Sequence, residues 1–199
     1  MDIGVNEIEG IILAAGYSAR VKAFKMTLPL GEKTVLESCL QGMSDFCDKV
    51  IVVGGYQVEK IIPIVKAYPK VELVYNENYS EGMFSSVKKG LSYITSKRFF
   101  LTPGDYPVIS KDTYRVMLNT VGEIVVPVYD GQTGHPALLA SYLSQEIGQK
   151  EASLKEFINT KGFTTVTVDD EGILLDIDTW EDYLRIKDYL RVHNSGRKG

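Results

Sequence analysis

Apolar residues along this chain recur in two alternating rhythms. Ile11, Ile12, Leu13, Ala14 and Ala15 form an unbroken run that stops at Gly16. Such a run reads as a strand buried on both faces, ended where the backbone must turn. Within Val35 to Phe46, the residues Val35, Leu36, Cys39, Leu40 and Met43 fall at helical spacing. Val50 to Val53 make a second buried strand closed by Gly54-Gly55, and Tyr56 to Tyr68 reads as a helix that Pro63 must kink or shorten. Val71 to Tyr75 alternates as a third strand. Met83, Val87, Gly90, Leu91 and Ile94 mark one helix face, and Phe99 to Leu101 form a short strand ending at Thr102-Pro103-Gly104.

The second half is less regular. Glu123 to Pro127 and Pro136 to Ala140 read as strands and Leu154 to Asn159 as a short helix. Phe163 to Val168 alternates, and Thr179 to Val192 predicts a closing amphipathic helix. The order β-α-β-α-β-α-β at the start implies an α/β fold with a mostly parallel central sheet and helices on both faces. Ligands of such sheets bind beyond the carboxyl ends of the strands. The segments after Leu13, Val53, Tyr75 and Leu101 are therefore where chemistry is expected.

The bulk numbers narrow the function classes. The 199 residues suit one sizeable core, expected over 1–193, with a polar, glycine-rich tail over 194–199 that should fray. A net charge of −4 argues against a nucleic-acid duplex or an anionic membrane as partner. No apolar run approaches the roughly 20 residues needed to cross a bilayer. The N-terminus is acidic, without the basic region of a signal peptide, and the only cysteines, Cys39 and Cys47, fit reduced thiols. A cytoplasmic protein is expected.

Five constellations carry candidate chemistry. In the first, Leu13-Ala14-Ala15-Gly16-Tyr17-Ser18-Ala19-Arg20 runs from a strand into a small-residue loop, followed by Lys22 and Lys25. Backbone N–H groups there can approach an anion closely, Arg20 can fork onto phosphate oxygens, and Lys25 adds a point charge. A tight turn with solvated basic residues is the alternative. The second is Asp105, held by Gly104 and Pro107 after a buried strand, and suited to Mg²⁺ or to capping a helix near Ser110. Third, Asp176 and Asp178 share one face of an extended stretch whose other face is Leu175 and Ile177. Two aligned carboxylates need a cation or donors, although Asp178 with Thr179 also sits where a helix N-cap is expected. The fourth is a polar loop that passes through Gly82 into a helix with Ser85 and Ser86 near its start, able to hold an anion or simply well capped. In the fifth, His135 lies between Gly134 and Pro136 as a ligand contact, an acid/base group or a hydrogen-bonded structural histidine.

These pieces, in this order, resemble the MobA/MocA-like molybdenum-cofactor nucleotidyltransferases, and look closest to the molybdopterin cytidylyltransferase branch. LAAGYSARVKAFK is similar to that family's LAAGxSxRMGxxK, and LPLGEKTVLE to its LPLxGxPLLE. NENYSEGMFSSV, GDYP, GHPALL and DIDTWEDY resemble its NPxWxEGMxSS, GDxP, GHPxLF and DIDTPEDL segments, so the likeness spans about residues 10 to 190.

The resemblance implies a Rossmann-like nucleotidyltransferase fold and Mg²⁺-dependent transfer of a nucleotide from a nucleoside triphosphate to the phosphate of molybdopterin. It implies nucleotide binding by Leu13, Ala14, Ala15, Gly16, Ser18, Arg20, Lys22, Lys25, Gly54 and Asp105, and catalysis by Arg20, Lys25 and Asp105. It assigns the metal to Asp105 with Asp176 or Asp178, and the pterin or its phosphate to Gly82, Ser85, Ser86 and His135. The LAAG form, as against LAGG, implies CTP, because one methyl near the base trims a purine's space. An apo-molybdoenzyme is a possible recipient of the product. The chain departs from the family at Val21-Lys22, where the pattern has Met-Gly; a lysine there adds a phosphate contact or remodels the loop. Two other readings stay open: a nucleotidyltransferase for a sugar or alcohol phosphate, and a non-catalytic protein that delivers the finished cofactor.

Overall fold

The computed structural model describes residues 8–18, 20, 21 and 23–195. Lys22 and the tail beyond Ser195 lie outside the described residues. The chain runs β1 (Ile8–Ala14), a short hairpin β2 (Pro29–Leu30) and β3 (Lys33–Thr34), α1 (Val35–Ser44), β4 (Lys49–Gly54), α2 (Ile62–Lys66), β5 (Val71–Tyr75) and α3 (Met83–Leu91). It continues through β6 (Arg98–Pro103), α4 (Lys111–Leu118), β7 (Ile124–Tyr129), β8 (Gln132–Thr133), β9 (Ala137–Ala140), α5 (Leu154–Lys161), β10 (Thr164–Thr167) and α6 (Trp180–Ser195).

The main sheet has the order β10-β7-β9-β6-β1-β4-β5, with β8 paired to β7. β1 pairs in parallel with β4 and β6, β4 with β5, and β7 with β10. β9 runs antiparallel between β6 and β7. The sheet is thus mixed but mainly parallel.

Period-two alternation divides the core. Ile12, Val52 and Phe100 face one cluster, shared with Leu36 and Leu40 of α1 and Tyr114 of α4. Ile11, Val53 and Leu101 face the other, shared with Val87 of α3 and Phe157 of α5. A strand with helices on both sides buries both of its faces, which is why these strands read as unbroken apolar runs. A third cluster joins Val21, Leu28, Leu30 and Val35 to Leu175, Ile177, Tyr183 and Ile186. It fastens the segment after the first loop to the stretch before α6.

Pro63 shortens its helix rather than kinking it. It sits in the first turn of α2, where its missing N–H has no intrahelical partner to lose, and a separate 3₁₀ turn covers Val58–Lys60. Cys39 and Cys47 are free and buried. Among the described residues no helix is long and apolar enough to cross a membrane.

Candidate active site

The loop after β1 closes on Ser18. Ser18 adopts a left-handed backbone (φ 54°). Its carbonyl accepts from Val21 N–H at 3.0 Å, and its hydroxyl accepts from Lys25 N–H at 3.1 Å. Ser18 therefore holds the loop in the shape that presents Arg20 and Lys25. Burial of Val21 and Leu28 in the third cluster anchors the far side of the loop.

Asp105 is fixed from behind by its turn. Gly104 N–H donates to Leu13 O at 2.8 Å, and Cys39 Sγ–H donates to Gly104 O at 3.2 Å. Asp105 does not cap α4. Ser110 Oγ accepts from Asp112 N–H, while Asp170 accepts from Ser110 N–H. Asp178 does not cap α6 either. Thr179 and Asp182 form a reciprocal pair there: Asp182 N–H donates to Thr179 Oγ1 and Thr179 N–H to Asp182 Oδ2. Both carboxylates are thus left for other partners.

They share one lysine. Lys25 Nζ donates to Asp105 Oδ2 at 2.7 Å and to Asp178 Oδ1 at 3.2 Å, and Arg20 reaches Asp178 Oδ2 at 2.8 Å. The Lys25 and Asp105 side chains are only 13% and 17% exposed, whereas Arg20 is 69% exposed. The expected alternation before α6 decides which groups face the centre: Leu175 and Ile177 are buried in the third cluster, and Asp176 and Asp178 are not. Ile177 N–H donates to Asp105 O at 3.0 Å, stitching the two acidic segments together. Burial, then the charges of Asp178 and Asp105, raise the Asp176 pKa above its ordinary value.

His135 stands on the far flank of Asp105. A side chain at Gly134 would meet the carbonyl oxygen of Ile173 at 2.4 Å, so only glycine allows the approach that brings His135 N–H onto Ile173 O at 3.0 Å. The imidazole lies against Tyr106, ring centroids 4.5 Å apart. Burial pushes its pKa down to about 4, partly opposed by the Asp105 charge. His135 is therefore neutral near pH 7. Its Nδ1 and Asp105 Oδ1 are both buried without a hydrogen-bond partner among the described residues.

The β5 side of the strand ends has a different character. Gly54 is a packing residue, since a Cβ there would strike Val58 at 2.6 Å. Its neighbour Gly55 faces the loops, touching Tyr79 and Ala15 so closely that a Cβ would lie 2.6 and 2.8 Å from theirs. Asn76, 2% exposed, donates to Ser85 Oγ at 2.9 Å and Ser86 Oγ at 3.0 Å, and accepts from Asn78 N–H. Gly82, exposed with φ 100°, precedes α3. The structure therefore separates Gly82, Ser85 and Ser86, beside β5, from His135, beside β6. Sequence reasoning gave no role to Tyr17, Tyr56, Tyr79, Asn76 or Tyr106, although all five lie in the strand-end segments it marked.

The residues present fit a divalent cation. Asp105 Oδ1 is a buried carboxylate oxygen without a partner, and Asp178 is brought opposite it through Lys25. No three described His, Cys, Asp or Glu side chains form a closed cage. A groove of about 1450 Å³ lies elsewhere, between the β2–β3 hairpin, Pro107–Asp112 and α6. Lys25, Asp105 and Asp178 do not line it, so the chemistry rather than the volume locates the site.

A loop after β1, an acid after β6 and a lysine between two carboxylates meet at the mouth of the parallel strands. Residues 10–163 match the MobA-like NTP transferase domain. The chain belongs to that family. It is a nucleotidyltransferase by family and by fold. It is 27% identical over 187 residues to the molybdenum cofactor cytidylyltransferase of Escherichia coli K12, covering 92% of this chain and 97% of that protein. It is 23% identical over 141 residues to a probable molybdenum cofactor guanylyltransferase of Bacillus mycoides, covering 69% of each. Among solved structures, a nucleotidyl transferase from Methanothermobacter thermautotroptrophicus superposes with TM-score 0.83 at 22% identity, covering 94% of this chain and all of that one. Rv0371C of Mycobacterium tuberculosis, solved in complex with manganese, gives TM-score 0.73 at 22% identity over 92% of this chain and 98% of its own.

Proposed function

We propose that this protein transfers CMP from CTP to the terminal phosphate of molybdopterin, giving a pterin dinucleotide and pyrophosphate. The observation that carries the reading is Lys25 held between Asp105 and Asp178 at the mouth of the parallel strands. An oxygen of the acceptor phosphate attacks the α-phosphorus, the bond from that phosphorus to the bridging oxygen of the β-phosphate breaks, and pyrophosphate leaves. Such transfers depend on positioning and on neutralising charge.

In this reading the backbone of Ala14, Ala15 and Gly16 faces the nucleotide, and Ser18 holds their loop. Arg20 and Lys25 bind the triphosphate and then the departing pyrophosphate. Asp105 and Asp178, with Asp176 beside them, would hold Mg²⁺, which when bound would supply charge neutralisation to the phosphates. Neutral His135 accompanies the acceptor on the β6 flank. The likeness to the Escherichia coli cytidylyltransferase over nearly the whole chain favours CTP. Ala15, where the LAGG form has glycine, also favours it, because the added methyl leaves less room for a purine. A methyl-sized difference yields only about 1–3 kcal/mol of selectivity, so GTP should react more slowly rather than not at all.

The test is pyrophosphate release from purified protein with Mg²⁺, molybdopterin and either CTP or GTP. Release faster with CTP, and about 10²–10³-fold slower in Asp105→Ala, is the expected result. Release with GTP alone overturns the base assignment. Release only when a sugar or alcohol phosphate replaces molybdopterin overturns the acceptor.

A further inference from the structure

The loop that presents Arg20 and Lys25 also carries Tyr17, which the charged centre does not use. The Tyr17 side chain is half exposed, and its ring centroid lies 5.2 Å from that of Tyr56 and 5.4 Å from that of Tyr79, tilted 46° and 57°. Behind it, buried Phe24 meets Tyr56 edge-on at 6.3 Å. Gln57 donates to the Tyr56 hydroxyl at 3.2 Å, which fixes that ring's direction. The three tyrosines come from three different loops, after β1, β4 and β5. Gly55 leaves the room for them to meet: a Cβ there would lie 2.6 Å from that of Tyr79 and 2.8 Å from that of Ala15. Aromatic rings gathered at the carboxyl ends of the strands, the outermost half exposed, suit a flat heterocycle.

We propose that Tyr17, backed by Tyr56 and Tyr79, is the surface on which the base of the nucleoside triphosphate stacks. The proposal rests on the nucleotidyl-transfer reading and names who holds the base. Three observations favour the nucleobase over the pterin. Tyr17 lies on the same closed loop as the two triphosphate-binding cations, and a nucleotide's base and phosphates are joined through a single ribose. Phe24, which supports Tyr56, is the residue next to Lys25, so the tyrosine shelf and the cation are built together. The acceptor flank, with His135 and Tyr106, lies on the opposite side of β1, beside β6. Every base has a π-face, so the shelf supplies affinity, and the choice between bases is left to the surrounding loops.

Calorimetry with CTP and with inorganic tripolyphosphate, each with Mg²⁺, separates the two parts of the ligand. Tyr17→Ala should weaken CTP binding by about tenfold or more and leave tripolyphosphate binding unchanged. Tyr17→Phe should retain CTP binding, since it keeps the ring. Unchanged CTP affinity in Tyr17→Ala overturns the proposal, as does an equal loss for both ligands, which marks damage to the phosphate loop. A Tyr17→Phe protein as weak as Tyr17→Ala overturns it too, by assigning the effect to the hydroxyl. Wild-type protein that binds neither ligand defeats the nucleotidyl-transfer reading, and the proposal with it.

Discussion

The two ends of the strand mouth solve opposite problems. Beside β6, charges are concentrated and incompletely satisfied: Asp105 and Asp178 share Lys25, while Asp105 Oδ1 and His135 Nδ1 are buried without partners among the described residues. Beside β5, polar groups are internally matched: Asn76 uses its amide on Ser85, Ser86 and Asn78, and the exposed surface is aromatic. Buried polar atoms without partners are costly, so they persist where a ligand completes them. A matched network instead fixes a shape. In the proposed reading the first end serves reaction and the second recognition.

The sharpest way to break this contrast is to remove the shared lysine. Lys25→Ala leaves Asp105 without its cation and Asp178 with only the exposed Arg20. Stability should fall by about 3 kcal/mol in urea unfolding at pH 7, the lower end for breaking a largely buried pair. An unchanged midpoint would mean that the carboxylates are better solvated than their burial implies.

His135 gives the next effect, and it depends on pH. Its folded pKa is depressed to about 4 from an unfolded value near 6.5. Between those values the unfolded chain takes up a proton that the folded chain refuses. Stability is therefore complete above about pH 6.5 and is lost as pH falls toward 4, by at most about 3 kcal/mol. His135→Gln should flatten that part of the profile of stability against pH; an identical slope would refute neutral burial of the ring.

At the recognition end, Asn76→Ala strands the buried Ser86 hydroxyl and should cost about 1–3 kcal/mol. The accompanying loss of CTP affinity should exceed any loss of tripolyphosphate affinity. The reverse pattern would place this network in the reacting half. The smallest effect is expected from Arg20→Ala. Its ion pair to Asp178 is exposed and worth less than about 1 kcal/mol of stability, so the change should appear in nucleotide KM and not in the unfolding midpoint.

Much of the site is legible in the residue pattern alone. The glycine after the first apolar run marks the loop that carries Arg20, and alternation correctly sets Asp176 and Asp178 opposite Leu175 and Ile177. The capping signal at Asp178-Thr179 is real but belongs to Thr179, whose hydroxyl reaches Asp182 one helical turn on. Residues whose role depends on a distant neighbour are harder. Gly54 carries the same local pattern as Gly55, and only packing against Val58 tells them apart. Gly82, Ser85 and Ser86 lie in motifs of the same kind as His135, yet belong to the other end of the mouth.

The sequence by itself determined what each segment must be. Apolar runs buried on both faces require strands covered by helices, and strands in that order require a largely parallel sheet with loops at one end. These follow from periodicity and local backbone chemistry, which act over a few residues. The tertiary structure alone decided who meets whom. Lys25 finds Asp105 across 80 positions and Asp178 across 153, and three tyrosines from separate loops become one shelf. Those meetings depend on strand order and on glycine-permitted approaches, and no local pattern in the chain encodes such distances.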